Sequence, residues 1–191
     1  MTSAPDRASF ANRFQEQFGL PSERVREKVR DRLTPWAQDF IQASPFLVMS
    51  TSSAEGRCDA SPRGGEPGFV EVIDDHTLNI PDVRGNRLFQ SLENLESNPN
   101  AGLIFMIPGL NETLRVNGRA RVVSADEGAR PKVQNPDAGA LRLQTIRIQV
   151  GESYVHCPRA YAFSDLWNSE TIERHQEERP ISPYSWSEGE A

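Results

Sequence analysis

AGLIFMIPGLNETLRVNGRARVV, residues 101–123, contains two strand-like segments separated by one turn. Residues 101–107 are a nearly continuous apolar run, which predicts a buried strand. Pro108-Gly109-Leu110-Asn111 is rich in turn-forming residues and predicts a reversal of the chain. Charged and apolar residues then alternate over residues 114–123, which predicts a long strand that Gly118 bends. This stretch therefore indicates a β protein.

Segments outside this stretch show the same alternating or short apolar pattern. Glu55-Gly56 and Asp74-Asp75 each separate two such segments, so we expect two hairpins before residue 101. One more alternating segment follows residue 123, and we expect it to reach Tyr154 or Val155. The predicted strands outside residues 101–123 cover residues 46–51, 57–60, 69–73, 77–80 and 146–150.

One helix is predicted between these strands. Gly85-Asn86 opens it, its leucines (Leu88, Leu92 and Leu95) repeat at helical spacing, and Asn98-Pro99 ends it. About seven strands at spacings of about ten residues, with one inserted helix, favour an antiparallel barrel over βαβ units. The expected fold class is mainly β with peripheral helices.

The first 44 residues predict a helical extension. Ser22 suits the N-cap of a helix from about residue 23, whose apolar stripe is Val25, Val29 and Leu33. Thr34-Pro35 interrupts this helix, because proline disfavours the helical conformation in the residue before it. A second short helix follows, with apolar side chains at Trp36, Phe40 and Ile41.

We therefore divide the chain into three parts. Residues 1–44 form the N-terminal helical extension, and residues 45–157 form the barrel domain. Residues 158–191 contain a short helix at about 160–166 and a charged tail. Within the barrel domain, the polar and proline-containing residues 126–140 predict a loop.

Composition excludes several classes of function. The formal charge of −6 over 191 residues gives no basic patch, so we expect no nucleic acid and no membrane as partners. The first 14 residues show no secretion signal, and no apolar run approaches the roughly 20 residues of a spanning helix. We expect a cytoplasmic protein. Cys58 and Cys157 are far apart and lack metal-ligand spacing, so we interpret both as reduced structural residues.

No side chain indicates nucleophilic catalysis. The three histidines, His76, His156 and His175, have no obvious serine or cysteine partner in the sequence. The glycines of residues 64–68 match neither the Walker pattern nor the dinucleotide-binding pattern. The catalytic residues, if any, stay unknown at this stage.

Arg63 is the first candidate for binding an anion. Pro62 restricts the chain before it, and Gly64 and Gly65 allow a sharp turn after it, so its side chain is held at the exit of a strand. A fork-shaped guanidinium held in this way suits a phosphate group. The alternative is a turn arginine that stacks on a neighbouring loop.

Arg87 is the second candidate. The first turn of the predicted helix is unfavourable for a cation, unless an anion lies between the cation and the helix terminus. Gln90 and Ser91, one turn later, can add neutral donors. The alternative is that Arg87 pairs with a surface carboxylate such as Asp82.

The stretch DASPRGGEPGFVEVIDDHTLNIPDVRGNRLFQSLENLESNPNAGLIFMIPGLNETLRVNGRARVV resembles the flavin-binding core of the pyridoxamine 5′-phosphate oxidase-like family. The resemblance covers about residues 45–157. It implies a split antiparallel β-barrel of the FMN-binding type, with FMN at the interface of a homodimer. The cofactor-binding residues that it implies are Ser61, Arg63, Asn86, Arg87, Ser91 and Thr113. Ser91 stands where the oxidases have a lysine, which leaves more of the phosphate charge to the two arginines.

The same resemblance implies an FMN-dependent oxidoreductase that acts on a small molecule, with hydride passing through flavin N5. NAD(P)H is one possible donor. The C-terminal stretch LWNSETIERHQEERP lacks the substrate motif of the oxidases, so vitamin B6 oxidation is not implied. Trp167 either caps the cofactor of the partner subunit or only packs. The alternative function is a non-catalytic flavin or haem carrier or sensor on the same barrel.

Overall fold

The computed structural model describes residues 12–83, 87–124 and 142–178. Seven strands form one antiparallel sheet, and short helices flank it. Along the chain the elements are α1 (Arg13–Phe18), α2 (Glu23–Arg26), α3 (Pro35–Ala43), β1 (Phe46–Ser52), β2 (Cys58–Gly64), β3 (Glu71–Asp74), β4 (Thr77–Val83), α4 (Gln90–Ser97), β5 (Asn100–Met106), β6 (Thr113–Val123), β7 (Arg142–His156), α5 (Arg159–Phe163) and α6 (Ser169–Glu178). The strand order is β2-β1-β5-β6-β7-β4-β3. The predicted fold, a mainly β split antiparallel barrel, is confirmed.

The central hairpin forms as its sequence predicts. β5 and β6 pair around the turn, and β6 then pairs with β7 along its whole length. The register of β6 against β7 shifts between Asn117 and Gly118. A Cβ atom at Gly118 would overlap the backbone oxygen of Gln149, so the two strands approach here as only glycine permits. The predicted bend at Gly118 is therefore confirmed.

The core lies inside the curved sheet. Strands β1, β4, β5, β6 and β7 bury apolar side chains there, and α3 covers the core with Ala37, Phe40 and Ile41. The largest fully buried side chains are Phe69, Phe105, Leu33, Ile41, Leu47, Met49, Leu78, Ile80, Leu103, Leu114, Ile146 and Ile148. Each large apolar side chain buried in this way contributes about 1.5–3 kcal/mol to folding.

The N-terminal extension differs from the prediction in two places, because α1 (Arg13–Phe18) was not predicted and α2 is shorter than expected. The helix expected from residue 23 to Leu33 ends at Arg26, and Ser22 makes no side-chain cap bond. The reason is that β4 stops pairing with β7 at Gln149, which leaves the backbone of Ser153 without a strand partner on that side. Arg30 fills the gap with two backbone hydrogen bonds to Ser153, at 2.9 and 2.7 Å.

The second predicted helix, α3, is confirmed. Thr34 caps it, because its hydroxyl oxygen accepts from the Ala37 N–H at 3.2 Å. Pro35 occupies the first helical position, where its missing N–H costs nothing.

The inserted helix begins later than the sequence indicates. Its predicted opening, Gly85-Asn86, lies outside the described residues, and α4 begins at Gln90. Arg87 and Phe89 have φ angles of 62° and 53°, so neither has helical geometry. The argument that Arg87 occupies the first turn of a helix is therefore wrong. The predicted end is correct, since Asn98 is extended at the C-cap.

The C-terminal part has one more helix than predicted. α5 corresponds to the expected short helix, but α6 occupies residues where we expected a charged tail. α6 buries none of its side chains, so it lacks the apolar stripe by which a helix is recognised in a sequence. Cys58 and Cys157 are free, as expected, but both are exposed and neither packs in the core. The predicted loop at 126–140 lies outside the described ranges.

None of the helices in the described ranges is both long and apolar enough to cross a membrane.

Candidate functional site

The two ends of the sheet meet through side chains. β2 lies at one end of the strand order and β4 lies next to the other end. The guanidinium of Arg63 on β2 donates to the Asp82 carboxylate on β4. We call this junction the seam, and it consists of Asp59, Ser61, Arg63, Asp82 and Ser91. The barrel is closed here by side chains and elsewhere by backbone ladders.

The pairing of β2 with β1 explains why polar residues face inward at the seam. Side chains directly opposite each other on paired strands share one face of the sheet. On β1 the inward-facing residues are Leu47, Met49 and Thr51, and all three are buried. Their partners on β2 are, in the same order, Arg63, Ser61 and Asp59. Every second residue of β2 therefore brings a polar group to the interior.

Asp82 reaches the same interior from β4. Alternation along β4 places it on the face of Leu78 and Ile80, which are both fully buried. A carboxylate is buried in this way only when it is paired. Both alternatives considered for the arginines differ from the structure. Asp82 pairs with Arg63 and not with Arg87, and Arg63 forms this ion pair and does not stack on a loop.

A cleft of about 440 Å³ lies beside the seam. Its volume falls within the range of about 300–1,000 Å³ that is typical of small-molecule sites. Four of the six predicted site residues line it: Ser61, Arg63, Arg87 and Ser91. Asp59, Asp82 and Gln90 also line it, together with apolar side chains from Phe69, Pro81, Leu88, Phe89 and Leu92.

The other two predicted site residues are not in this cleft. Asn86 lies outside the described residues. Thr113 is buried at the start of β6, opposite His156 of β7. Because its neighbour Leu114 faces the core, Thr113 lies on the outer face of the sheet, away from the seam.

Arg63 and Arg87 still have donors to offer. One terminal nitrogen of Arg63 is bound to Asp82, but its Nε is buried without a hydrogen-bond partner. A buried donor left unpaired costs about 1–3 kcal/mol, which an acceptor in the cleft would recover. Arg87 is exposed, and no described residue forms an ion pair with its guanidinium.

Ser91 lines the cleft with its hydroxyl already engaged. Its hydroxyl is buried and donates to Asp59 Oδ2 at 2.7 Å, which ties α4 to β2. A serine hydroxyl has one proton, so Ser91 cannot donate to a ligand while this bond lasts.

The two carboxylates are the site residues that sequence reasoning missed. A usable signal was present for Asp59, because Asp59, Ser61 and Arg63 alternate along β2 with period two. Each carboxylate is engaged, Asp82 by Arg63 and Asp59 by Ser91. The cleft therefore balances two arginines against two aspartates, and its uncommitted charged donors belong to the arginines. These residues fit a ligand that combines an anionic group with an apolar ring.

A second cavity of about 480 Å³ is separated from the cleft by Asp59 and Gln90. Its lining carries the carboxylates of Glu55, Glu93 and Glu96. A hydrogen bond with Ser53 holds the pKa of Glu55 below its ordinary value, so this carboxylate stays charged to lower pH. The lining does not suit an anion, and the described residues contain no group of side chains arranged to hold a metal ion.

The sheet topology and the seam define a class of protein: a split antiparallel barrel with a mixed-charge cleft beside its seam. The model of the family described as pyridoxamine 5′-phosphate oxidase matches residues 33–154, which is more than half of the chain. The chain belongs to this family.

Solved structures of similar fold were also found, although no curated protein matches the sequence. HupZ of Group A Streptococcus is 16% identical, with a TM-score of 0.46 over 64% of this chain and 92% of its own. HutZ, the haem storage protein from Vibrio cholerae, is 16% identical, with a TM-score of 0.44 over 65% and 94%. An FMN-binding protein from Syntrophomonas wolfei is 8% identical, with a TM-score of 0.43 over 63% and 88%.

Proposed function

We propose that this chain is a cytoplasmic FMN-dependent oxidoreductase that acts on a small molecule. The observation that carries the proposal is the seam cleft, in which Arg63 keeps an unpaired buried donor and Arg87 keeps a guanidinium without an ion-pair partner among the described residues. Guanidinium groups are the preferred partners of phosphate monoesters. When bound, FMN supplies hydride transfer through its N5 atom.

The side chains of the cleft bind and orient. Arg63 and Arg87 would hold the phosphate. Ser61 lies on the same face of β2 as Arg63 and lines the cleft, so its hydroxyl would bind the polar chain of the flavin. No histidine or cysteine is among the described residues that line the cleft. The two aspartates there already have partners. The protein therefore contributes shape, charge and exclusion of water, with NAD(P)H as the proposed electron donor.

A homodimer completes the proposal. The outer face of the sheet carries a row of apolar side chains in register, with Pro62 opposite Val48 and Val48 opposite Ile104. Ile104 is 37% exposed in the middle of a central strand. An apolar face of this kind supports an interface with a second copy, which would bring Thr113 near the cofactor of the partner.

The dimer is tested by the mass of the protein in solution. Light scattering on the wild type should give twice the chain mass, and Ile104→Glu should give the mass of one chain, because a charge in an apolar interface is unfavourable. A wild-type protein that stays monomeric at micromolar concentration contradicts the dimer.

The cofactor is tested by absorption spectroscopy of the purified protein. We expect a flavin spectrum after incubation with FMN and gel filtration. Arg63→Ala and Arg87→Ala should lose FMN while they stay folded. Arg57→Ala is the matched control, because Arg57 lies on the same hairpin, 85% exposed and outside the cleft.

Two results contradict this assignment. Retention of FMN by both cleft variants rejects the phosphate site. A Soret band with haem, together with no affinity for FMN, favours the haem carrier. NAD(P)H consumption that depends on bound FMN then separates an enzyme from a flavin carrier.

A further inference from the structure

The Arg63–Asp82 pair differs in burial from the other ion pairs of the described residues. Asp82 keeps 6% of its side chain exposed and Arg63 keeps 19%. The partners in the other two pairs keep at least 42%. Exposed pairs contribute little, whereas a pair at this depth restricts the orientation of both side chains.

Asp82 leaves part of the guanidinium uncommitted. A guanidinium carries five N–H donors in one rigid plane, so a partner at one nitrogen restricts the direction of the others. Asp82 accepts from one terminal nitrogen, and Nε has no acceptor. Among the described residues, Asp82 is the only side chain seen to hold this guanidinium.

We propose that Asp82 is a positioning residue, which orients Arg63 for a phosphate monoester and so makes the cleft select FMN over riboflavin. This inference rests on the proposed function. Two physical effects of Asp82 oppose each other here. Its charge repels a phosphate, whereas its hold on Arg63 spares the ligand the entropy cost of ordering a long side chain. The ordering of Arg63 by Asp82 outweighs the repulsion between Asp82 and the phosphate.

Asp59 provides a matched comparison. It lines the same cleft with the same charge, but it accepts from Ser91 and is not paired with Arg63. If the two carboxylates act only by repelling the phosphate, removing either one strengthens FMN binding. If Asp82 acts by orienting Arg63, removing Asp82 weakens FMN binding, whereas removing Asp59 strengthens it.

The experiment measures the dissociation constants of FMN and riboflavin by quenching of flavin fluorescence, with the full-length protein. Asp82→Ala should weaken FMN binding about tenfold or more. It should change riboflavin binding less than about twofold, because riboflavin has no phosphate. Asp82→Asn should show a smaller loss, since its amide oxygen still accepts from Arg63. Asp59→Asn should bind FMN more tightly than the wild type.

Three results overturn the inference while the proposed function stands. One is FMN binding by both Asp82 variants that equals or exceeds that of the wild type. Another is an equal loss of FMN and riboflavin, which indicates a purely structural role. The third is a loss of FMN by Asp59→Asn as large as that by Asp82→Asn. A wild-type protein that binds neither flavin contradicts the proposed function together with the inference. If Asp82→Ala does not fold, Asp82→Asn carries the test.

Discussion

The sheet wall and the seam close the same barrel by different means. The wall consists of β1, β5, β6, β7 and β4, whose backbones pair as antiparallel ladders. At the seam no ladder joins β2 to β4, and the junction consists of Arg63 with Asp82 and Ser91 with Asp59. A ladder satisfies every backbone group and leaves no space for a ligand. The polar side chains of the seam and the cleft therefore lie together at the place where the backbone ladder ends.

The largest expected effect belongs to the wall. Gly118→Ala should lower the free energy of unfolding by about 3 kcal/mol, because the new methyl group overlaps the backbone of β7. Urea denaturation measures this change. Gly151→Ala on β7 is the control, since its Cβ would meet nothing closer than 3.6 Å. Gly151→Ala should lower the free energy of unfolding by less than about 0.5 kcal/mol. Equal losses in the two variants would show that the close approach of β7 to Gly118 does not contribute to stability.

The second effect belongs to the seam. Arg63→Ala leaves the Asp82 carboxylate buried without a partner and should cost about 2 kcal/mol, less than for a fully buried pair because Arg63 is partly exposed. Arg63→Ala combined with Asp82→Ala should cost less than the sum of the two single variants. Strictly additive losses in urea denaturation would mean that the two side chains do not interact in solution.

A smaller effect is expected at the second contact of the seam. Ser91→Ala removes the hydrogen bond to Asp59 and should cost about 1 kcal/mol. FMN affinity should change less than about twofold, because the hydroxyl proton is already committed. A large loss of FMN with unchanged stability would restore Ser91 as a phosphate ligand.

The smallest effect is expected at the turn between β3 and β4. The His76 N–H donates to Asp74 Oδ1 at 2.8 Å, and this hydrogen bond lowers the pKa of Asp74. Since the pKa is lower in the folded state, the contribution of Asp74 is present at neutral pH and is lost as the pH falls through the folded pKa. Asp74→Ala should therefore be slightly less stable than the wild type at pH 7, and this difference in stability should disappear as the pH falls through the folded pKa of Asp74. A difference that persists below that pKa would assign the effect to the turn conformation instead.

The wall could be predicted from the sequence because its information is local. Alternation and turn residues locate β5 and β6, and Gly118 marks their bend against β7. The seam depends on contacts between distant parts of the chain. Arg63 and Asp82 are 19 positions apart, and only the curvature of the sheet brings them together. A distant contact also explains the error at residues 27–33. The backbone of Ser153 on β7 binds that of Arg30, and this pairing replaces the helix that the apolar pattern predicts.

For the site residues, the chemical type of the side chain was easier to predict from the sequence than its position in the fold. Arg63 was recognised from its stiff and flexible neighbours, but its partner Asp82 was not, because Asp82 lies on β4 and only the closure of the sheet brings the two side chains together. Arg87 was assigned to a helix that begins three residues later. Thr113 was expected on a strand that faces the cofactor, and alternation along β6 places it on the outer face of the sheet.

The position of the phosphorus atom in a crystal of the FMN complex tests the central claim most directly. The account predicts that the phosphate lies in the seam cleft, with one oxygen at about 2.8 Å from a guanidinium nitrogen of Arg63. It also predicts that Asp82 still accepts from another nitrogen of the same group. A phosphate bound outside the cleft, with Arg63 in contact only with Asp82, would contradict the account.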